Sequence, residues 1–344
     1  FGVAQAAIAH EAQMDELAKK LGIDPLDFRL MNALDHGLST PTGQVFYEGV
    51  GIKATLEKIK EVRSKDPSFR NYRKKETSTK KHGIGIGSMF YGLGYGFSRQ
   101  DISSATIEIC EDGSVIVRSG EVDYGQGSDT IFCQIVAEEL GIRYDEIQMI
   151  TADTFATPNA GPTSASRVTY VTGNAMIKAS RALKKTLQSM AEEILGAKDL
   201  VFVDEEIHSE SKLEKKISFK ALAKECHNRG LQMVETAWHD ITTKDVDPET
   251  GQGDAYSAYA YASQLAEVEV DMETGKVEVL KIVSATDVGK AINPSNVEGQ
   301  IEGGAVMGAG YALTEEMKME RGYLKTKSLG EYMIPTSLDV PSIE

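Results

Sequence analysis

The stretch EVDYGQGSDT, residues 121–130, carries the reading of this chain. An acid-rich strand runs in and a helix runs out, with Gly125 and Gly127 flanking Gln126 at the corner. Glycine reaches backbone angles closed to other residues. Gln126 offers an amide donor and a carbonyl acceptor. A helix starting at Ser128 or Asp129 turns free N–H groups outward, which suits an anionic or polar heterocyclic ligand. A plain tight strand-to-helix turn needs the same glycines, so both readings stand on these residues alone.

The surroundings set this corner in a mixed fold. ATIEI (105–109), the turn residues Asp112 and Gly113, and VIVRS (115–119) predict a β-hairpin just ahead of it. Ile131, Ile135 and Leu140 predict a helix over 129–140, EIQMIT (146–151) a strand, and residues 173–195 and 218–228 two further helices. SQLAEVEVD (263–271), a turn at 273–275, and KVEVLKIVSATDVG (276–289) predict a second hairpin, followed by a Gly-rich helix from Pro294 to about Met317. Upstream, Met14, Leu17, Ala18 and Leu21 share one face of a helix over 5–21, closed by Gly22. Asp24, Pro25 and Asp27 open the next, and Ile52, Leu56, Ile59 and Val62 mark another. The polar, basic residues 64–82 suit a domain boundary or a solvated crossing loop equally. Regular βαβ alternation is missing, so the expected fold class is α+β, with mixed sheets and packed helices.

Composition narrows the function classes. With 37 Lys and Arg against 52 Asp and Glu, the net charge of −15 argues against nucleic acid as the main partner. A 41% hydrophobic content can bury a real core. No apolar run reaches the roughly 20 residues of a membrane helix. Cys110, Cys133 and Cys226 lie far apart, as reduced thiols of a cytoplasmic protein do. The six His residues show no paired ligand spacing, so no protein-ligated zinc site is expected.

Three other glycine-rich stretches bear on the question. In GIGIGSMFYGLGYGFS (83–98) the glycines alternate with a strand period, unlike the G-x-G-x-x-G corner of a dinucleotide fold. TPNAGPTSASRVTYVTGNA (157–175) offers the hydroxyls of Thr163, Ser164 and Ser166 and the planar fork of Arg167, or else a Ser/Thr-rich cap. In TDVGKAINPSNVEGQIEGGAVMGAGYALTEEM (286–317), Gln300 shares a helix side with Gly303 and Gly304, which suits a ligand or a tight helix contact.

The order of these pieces is more specific than any one. FGVAQ opens the chain, followed by EAQMDELAKKLGIDPLDFRLMNAL, EVDYGQGSDTIFCQIVAEELGI, GPTSASRVTYVTGNA and DVGKAINPSNVEGQIEGG. This series resembles the molybdenum-binding subunit of the xanthine dehydrogenase and aldehyde oxidase family across nearly the whole chain. The resemblance implies the molybdopterin-binding architecture of the bacterial molybdenum hydroxylases. Residues 1–80 would end a first, mostly helical molybdopterin-binding domain, and residues 81–344 would form an incomplete second one. It implies a molybdopterin cofactor, in its cytosine dinucleotide form, whose dithiolene rather than a side chain holds the metal. Gly125, Gln126 and Gly127, then Thr163, Ser164, Ala165, Ser166 and Arg167, and finally Gln300 would hold that cofactor. Phe1 and Gly2 match the family's Phe-Gly loop beside the substrate. The implied reaction hydroxylates an N-heterocycle of purine or nicotinate type, or an aldehyde, with water as the oxygen source. Electrons would leave through FeS clusters to FAD on partner subunits or domains.

Two family features do not match. The catalytic Glu of a late glycine-rich segment is absent, so the base is expected beyond residue 344, and the isolated chain is expected to be inactive. The arginine ahead of the Phe-Gly loop is also absent. A fragment, or one piece of a split subunit, accounts for both. A non-catalytic cofactor carrier and a reductase of the 4-hydroxybenzoyl-CoA type are the alternatives within the family's chemistry. An NAD-linked dehydrogenase built on Gly83–Gly96 is the alternative outside it. Titration of the protein with NADH, followed by nicotinamide fluorescence, is expected to show no saturable change.

Overall fold

In the computed structural model, residues 2–243 and 246–344 are described. Contacts group the chain into two compact units, Phe1–Tyr91 with Tyr259–Glu344, and Gly92–Ala258. This differs from a cut at residue 80, for a physical reason. The strand Lys80–Gly92 lies in one sheet beside Tyr259–Asp271, so its backbone hydrogen bonds belong with the C-terminal hairpin.

In the unit that holds both chain ends, the sheet runs in the order Lys80–Gly92, Tyr259–Asp271, Val277–Asp287 and Ser342–Ile343. The hairpin predicted from sequence forms, with a register irregularity between Val279 and Lys281. The helix Ile52–Lys65 lays Ile52, Leu56 and Ile59 on this hairpin, against Tyr261, Leu265 and Val283. Their spacing of four and then three residues is what presents one apolar stripe. The helix Val3–Leu21 ends at Gly22, whose φ of 68° lets its N–H reach back to Ala18 and Lys19. Asp24 caps the helix Pro25–Asn32 and also takes a two-pronged bond from Arg63, at 2.9 and 2.6 Å. Residues 64–82 are partly ordered: Pro67–Arg70 is a short helix capped by Asp66, and Phe69 is buried.

In the unit Gly92–Ala258, the main sheet runs Ile147–Thr151, Val115–Ser119, Ile102–Ile109, Val234–Asp240. Ala105, Ile107, Ile109, Val115 and Val117 are fully buried on one face, as period-two alternation demands. Helices Ser128–Leu140 and Gly173–Leu195 join that face in one apolar cluster. Val115–Ser119 and Ile147–Thr151 are parallel, joined through the helix Ser128–Leu140. One βαβ crossover therefore sits inside an otherwise antiparallel sheet. The sequence reading missed the strand Val234–Asp240 and a small sheet of Leu200–Val203, Glu206–Ser209 and Lys216–Ser218. These strands are short, and their apolar residues are too few for periodicity to show. The GIGIG run is indeed strand, within Lys80–Gly92. Among the described residues no helix is long and apolar enough to cross a membrane.

Two measurements check this packing. Phe132 is fully buried in the larger core, so Phe132→Ala is expected to cost about 3–5 kcal/mol in denaturant unfolding. Lys281 donates to Asp66 at 2.9 Å, and with Ser68 it holds the Asp66 carboxyl down to about 2. A lowered carboxyl stabilises the fold above its ordinary value of 3.8 and loses that contribution as pH falls towards 2. Unfolding midpoints in that window are expected to fall less steeply for Lys281→Met than for the parent protein.

Candidate functional site

The corner quoted at the outset is a loop between the strand Val115–Ser119 and the helix Ser128–Leu140. Gly125 and Gly127 have φ of 116° and 81°, so both use the freedom that only glycine has. The N–H groups around the helix start are partly taken by the chain itself. Asp123 accepts from Gly125 N–H at 2.8 Å, Gly127 N–H at 3.4 Å and Asp129 N–H at 3.2 Å. Burial pushes the Asp123 carboxyl up, but these backbone donors outweigh it and hold the group below its ordinary value. The anion at this helix terminus is thus the protein's own.

Gln126 also turns inward. Its carbonyl accepts from Tyr124 N–H at 2.8 Å, and its amide donates to Val122 O at 3.0 Å and Ser128 Oγ at 2.9 Å. Both amide hydrogens are used, which leaves acceptor capacity on the carbonyl for a ligand.

The second segment stands directly beside the first. Thr163 Oγ1 accepts from Val122 N–H at 2.9 Å and lies 2.9 Å from Glu121 Oε2, to which it can donate. Ser164 Oγ meets the Tyr95 hydroxyl at 3.0 Å, and Ala165 O accepts from Gly94 N–H at 2.9 Å. Ala165 and Ser166 both have positive φ, 54° and 51°. Two such residues in succession, neither glycine, cost of order 1–3 kcal/mol each and persist only where surroundings impose them. Among the described residues, the backbone N–H groups of Thr163, Ser164, Ala165 and Ser166 have no acceptor, and the exposed Ser166 hydroxyl has no partner. Successive N–H groups in a turn of this kind form a concavity for an anion.

Arg167 departs from expectation. Its fork does not face this concavity; it is buried, at 1% exposure. Nε donates to Asp101 at 2.6 Å, Nη1 to Glu121 at 3.1 Å and Ala160 O at 2.9 Å, and Nη2 to Ile102 O at 2.9 Å. The reason is electrostatic: two buried carboxylates require a cation, and Arg167 is the one that reaches them. Glu121 also accepts from Thr172 Oγ1 at 2.7 Å. Burial pushes the Glu121 carboxyl above the ordinary glutamate range, against the pull of Thr172, Thr163 and Arg167. Asp101, Glu121 and Asp123 were not anticipated. The acid-rich run EVD was the only signal, and a buried carboxylate cannot be told from a solvated one by its neighbours in sequence. A cleft of about 320 Å³ is lined by Tyr95, Gln100, Asp101, Asn159, Arg167 and Trp238, among others.

The remaining expected residues lie in the other unit. Gln300 is exposed on the helix Pro294–Leu313. Gly299, Gly303, Gly304 and Gly308 of that helix have no atom near enough to meet an added Cβ, so the tight helix contact is not seen there. Gly2 is exposed at the start of the helix Val3–Leu21, and Phe1 lies outside the described residues. Among the described residues no cluster of His, Cys, Asp and Glu could hold a metal ion.

The raised Glu121 gives a signed prediction. A raised carboxyl stabilises the fold below its ordinary value of 4.5 and loses that contribution as pH rises through the folded value. Glu121→Gln keeps an acceptor for Thr172 and removes the ionisation. Its unfolding midpoint is expected to gain on the parent protein as pH rises above 4.5.

Comparison with known proteins bears on this geometry. Residues 56–341 match the family model for the molybdopterin cofactor-binding domain. The chain is 29% identical over 351 residues to the xanthine dehydrogenase molybdenum-binding subunit of Escherichia coli O157:H7, covering 100% of this chain and 45% of that protein. It is 32% identical over 323 residues to the aldehyde oxidoreductase of Megalodesulfovibrio gigas, covering 92% of this chain and 32% of that one. The crystal structure of quinoline 2-oxidoreductase from Pseudomonas putida 86 superposes with a TM-score of 0.85 at 27% identity, over 98% of this chain and 44% of that one. The chain thus spans less than half the length of these relatives. It belongs to the molybdopterin cofactor-binding domain family.

Proposed function

We propose that this chain is the cofactor-holding part of an enzyme that hydroxylates an N-heterocycle of purine or nicotinate type, or an aldehyde, with water as the oxygen source. The observation that carries the reading is the run of four acceptor-free N–H groups from Thr163 to Ser166, tied by Thr163 to the Gly125–Gly127 loop. These residues fit an anionic, hydrogen-bonding cofactor. The N–H groups and the Ser166 hydroxyl would hold its phosphate, and the Gln126 carbonyl and the unobstructed side of Gly125 would face its pterin. From the family pattern alone, Gln300 is assigned to the cofactor and Phe1 and Gly2 to the substrate.

When bound, molybdopterin supplies the metal-centred redox chemistry, while this chain supplies placement and electrostatics. The cytosine dinucleotide form agrees with a concavity built for phosphate. FeS and FAD partners follow from the need to remove electrons. The three cysteines are unpaired, which suits the reducing cytoplasm of a bacterial cell.

Ser166→Asp places a charge at the mouth of the concavity. In the purified complex it is expected to lower bound molybdenum and releasable nucleotide by about tenfold or more, the equivalent of about 1.4 kcal/mol. Ser189→Asp, on the exposed side of the helix Gly173–Leu195, is expected to change neither. Equal metal content in the Ser166→Asp complex and the parent would refute the reading.

A further inference from the structure

We infer that Arg167 is a positioning residue for the cofactor, acting from beneath the concavity without touching what it holds. The inference rests on the cofactor reading above and assigns one part of it.

Three features carry it. First, the guanidinium joins three separate stretches of chain. It bonds Asp101 and Ile102 at the head of one strand, Glu121 at the exit of another, and Ala160 and Pro162 in the loop before the concavity. Second, the bonds continue to both ends of that loop. Glu121 is held by Thr163 on the near side and by Thr172 on the far side, and Thr172 is bonded to Ser103 at 2.7 Å. The strained pair Ala165 and Ser166 lies between these anchors, so their αL geometry is imposed from below. Third, the approach is close enough to constrain sequence. A Cβ on Gly161 would stand 3.0 Å from Arg167 Nη1, and one on Gly94 would stand 2.3 Å from Asp101 Oδ2.

Charge adds a requirement. Asp101, Glu121 and Arg167 are each at least 98% buried, so two acids share one base. A planar fork with donors in fixed directions serves both carboxylates and the carbonyls together. A lysine would keep the charge and lose those directions. Loop geometry and charge balance are therefore separable by substitution.

The test uses the complete purified complex carrying Arg167→Lys, with Ser166→Asp as the reference. The readouts are bound molybdenum, nucleotide released on acid hydrolysis, the rate of cofactor loss on dialysis, and Tm after the cofactor is removed. Arg167→Lys is expected to lose cofactor about tenfold faster, while its cofactor-free Tm stays within about 2–4 °C of the parent. Amide exchange in 160–167 is expected to rise while exchange in the Gly173–Leu195 helix stays unchanged. The inference is overturned if Arg167→Lys keeps the parent's rate of loss, or if exchange rises equally in both segments, the mark of a general fold brace. If Arg167→Lys does not fold, Asp101→Asn decides, because it removes one carboxylate charge and one of its two acceptors and leaves the cation in place. Faster cofactor loss in that variant supports positioning, and an unchanged rate refutes it. If Ser166→Asp retains cofactor as the parent does, the cofactor reading itself fails and this inference with it. If only the Arg167 and Asp101 variants behave as the parent, this inference alone fails.

Discussion

One cation buried between two carboxylates is the constraint on which the candidate site depends. A guanidinium at 1% exposure is costly to desolvate, and it is tolerated here because its bonds to Asp101, Glu121 and three backbone carbonyls restore what water gave. Truncating one partner of such a cluster strands a charge, which typically costs 3–5 kcal/mol. The cluster is therefore rigid, and rigidity is what a loop with two strained residues needs beneath it. Stability and geometry of the site have the same source.

The two glycine-containing loops solve opposite problems with similar means. At Gly125 and Gly127 the chain bends to wrap its own carboxylate, Asp123, which closes the start of the helix Ser128–Leu140. At Thr163–Ser166 the chain bends to leave its N–H groups open. The two loops therefore differ in which donors the chain itself occupies. Thr163 links them by accepting from Val122 N–H.

Much of the fold was legible before any coordinates. Long periodic segments such as 129–140 and 173–195 became helices at nearly the expected bounds, because a repeating apolar stripe buries on one face whatever it packs against. Both hairpins formed, guided by turn residues at Gly113 and Gly275 with φ of 88° and 75°. The short strands between residues 200 and 240 stayed hidden. Each carries only one or two inward apolar residues, and Val234–Asp240 pairs with a strand 130 residues away in sequence. The expected site residues fared unevenly for a similar reason. Ser166 is as exposed as its segment suggested, whereas Gln126 turns to its near neighbours Val122 and Ser128, and Arg167 points inward because distant groups outbid solvent for its donors.

The sequence by itself determined the local elements, the order of the family's segments, the acidic character of the surface and the glycines that allow each corner. Those are properties of neighbours along the chain: periodicity, backbone freedom and composition. Tertiary structure alone decided which way each polar side chain faces. Asp101 and Arg167 are 66 residues apart, and Glu121 and Arg167 are 46 apart, yet they share one buried volume. A charge's role follows from whether water or another charge surrounds it, and only the folded chain sets that.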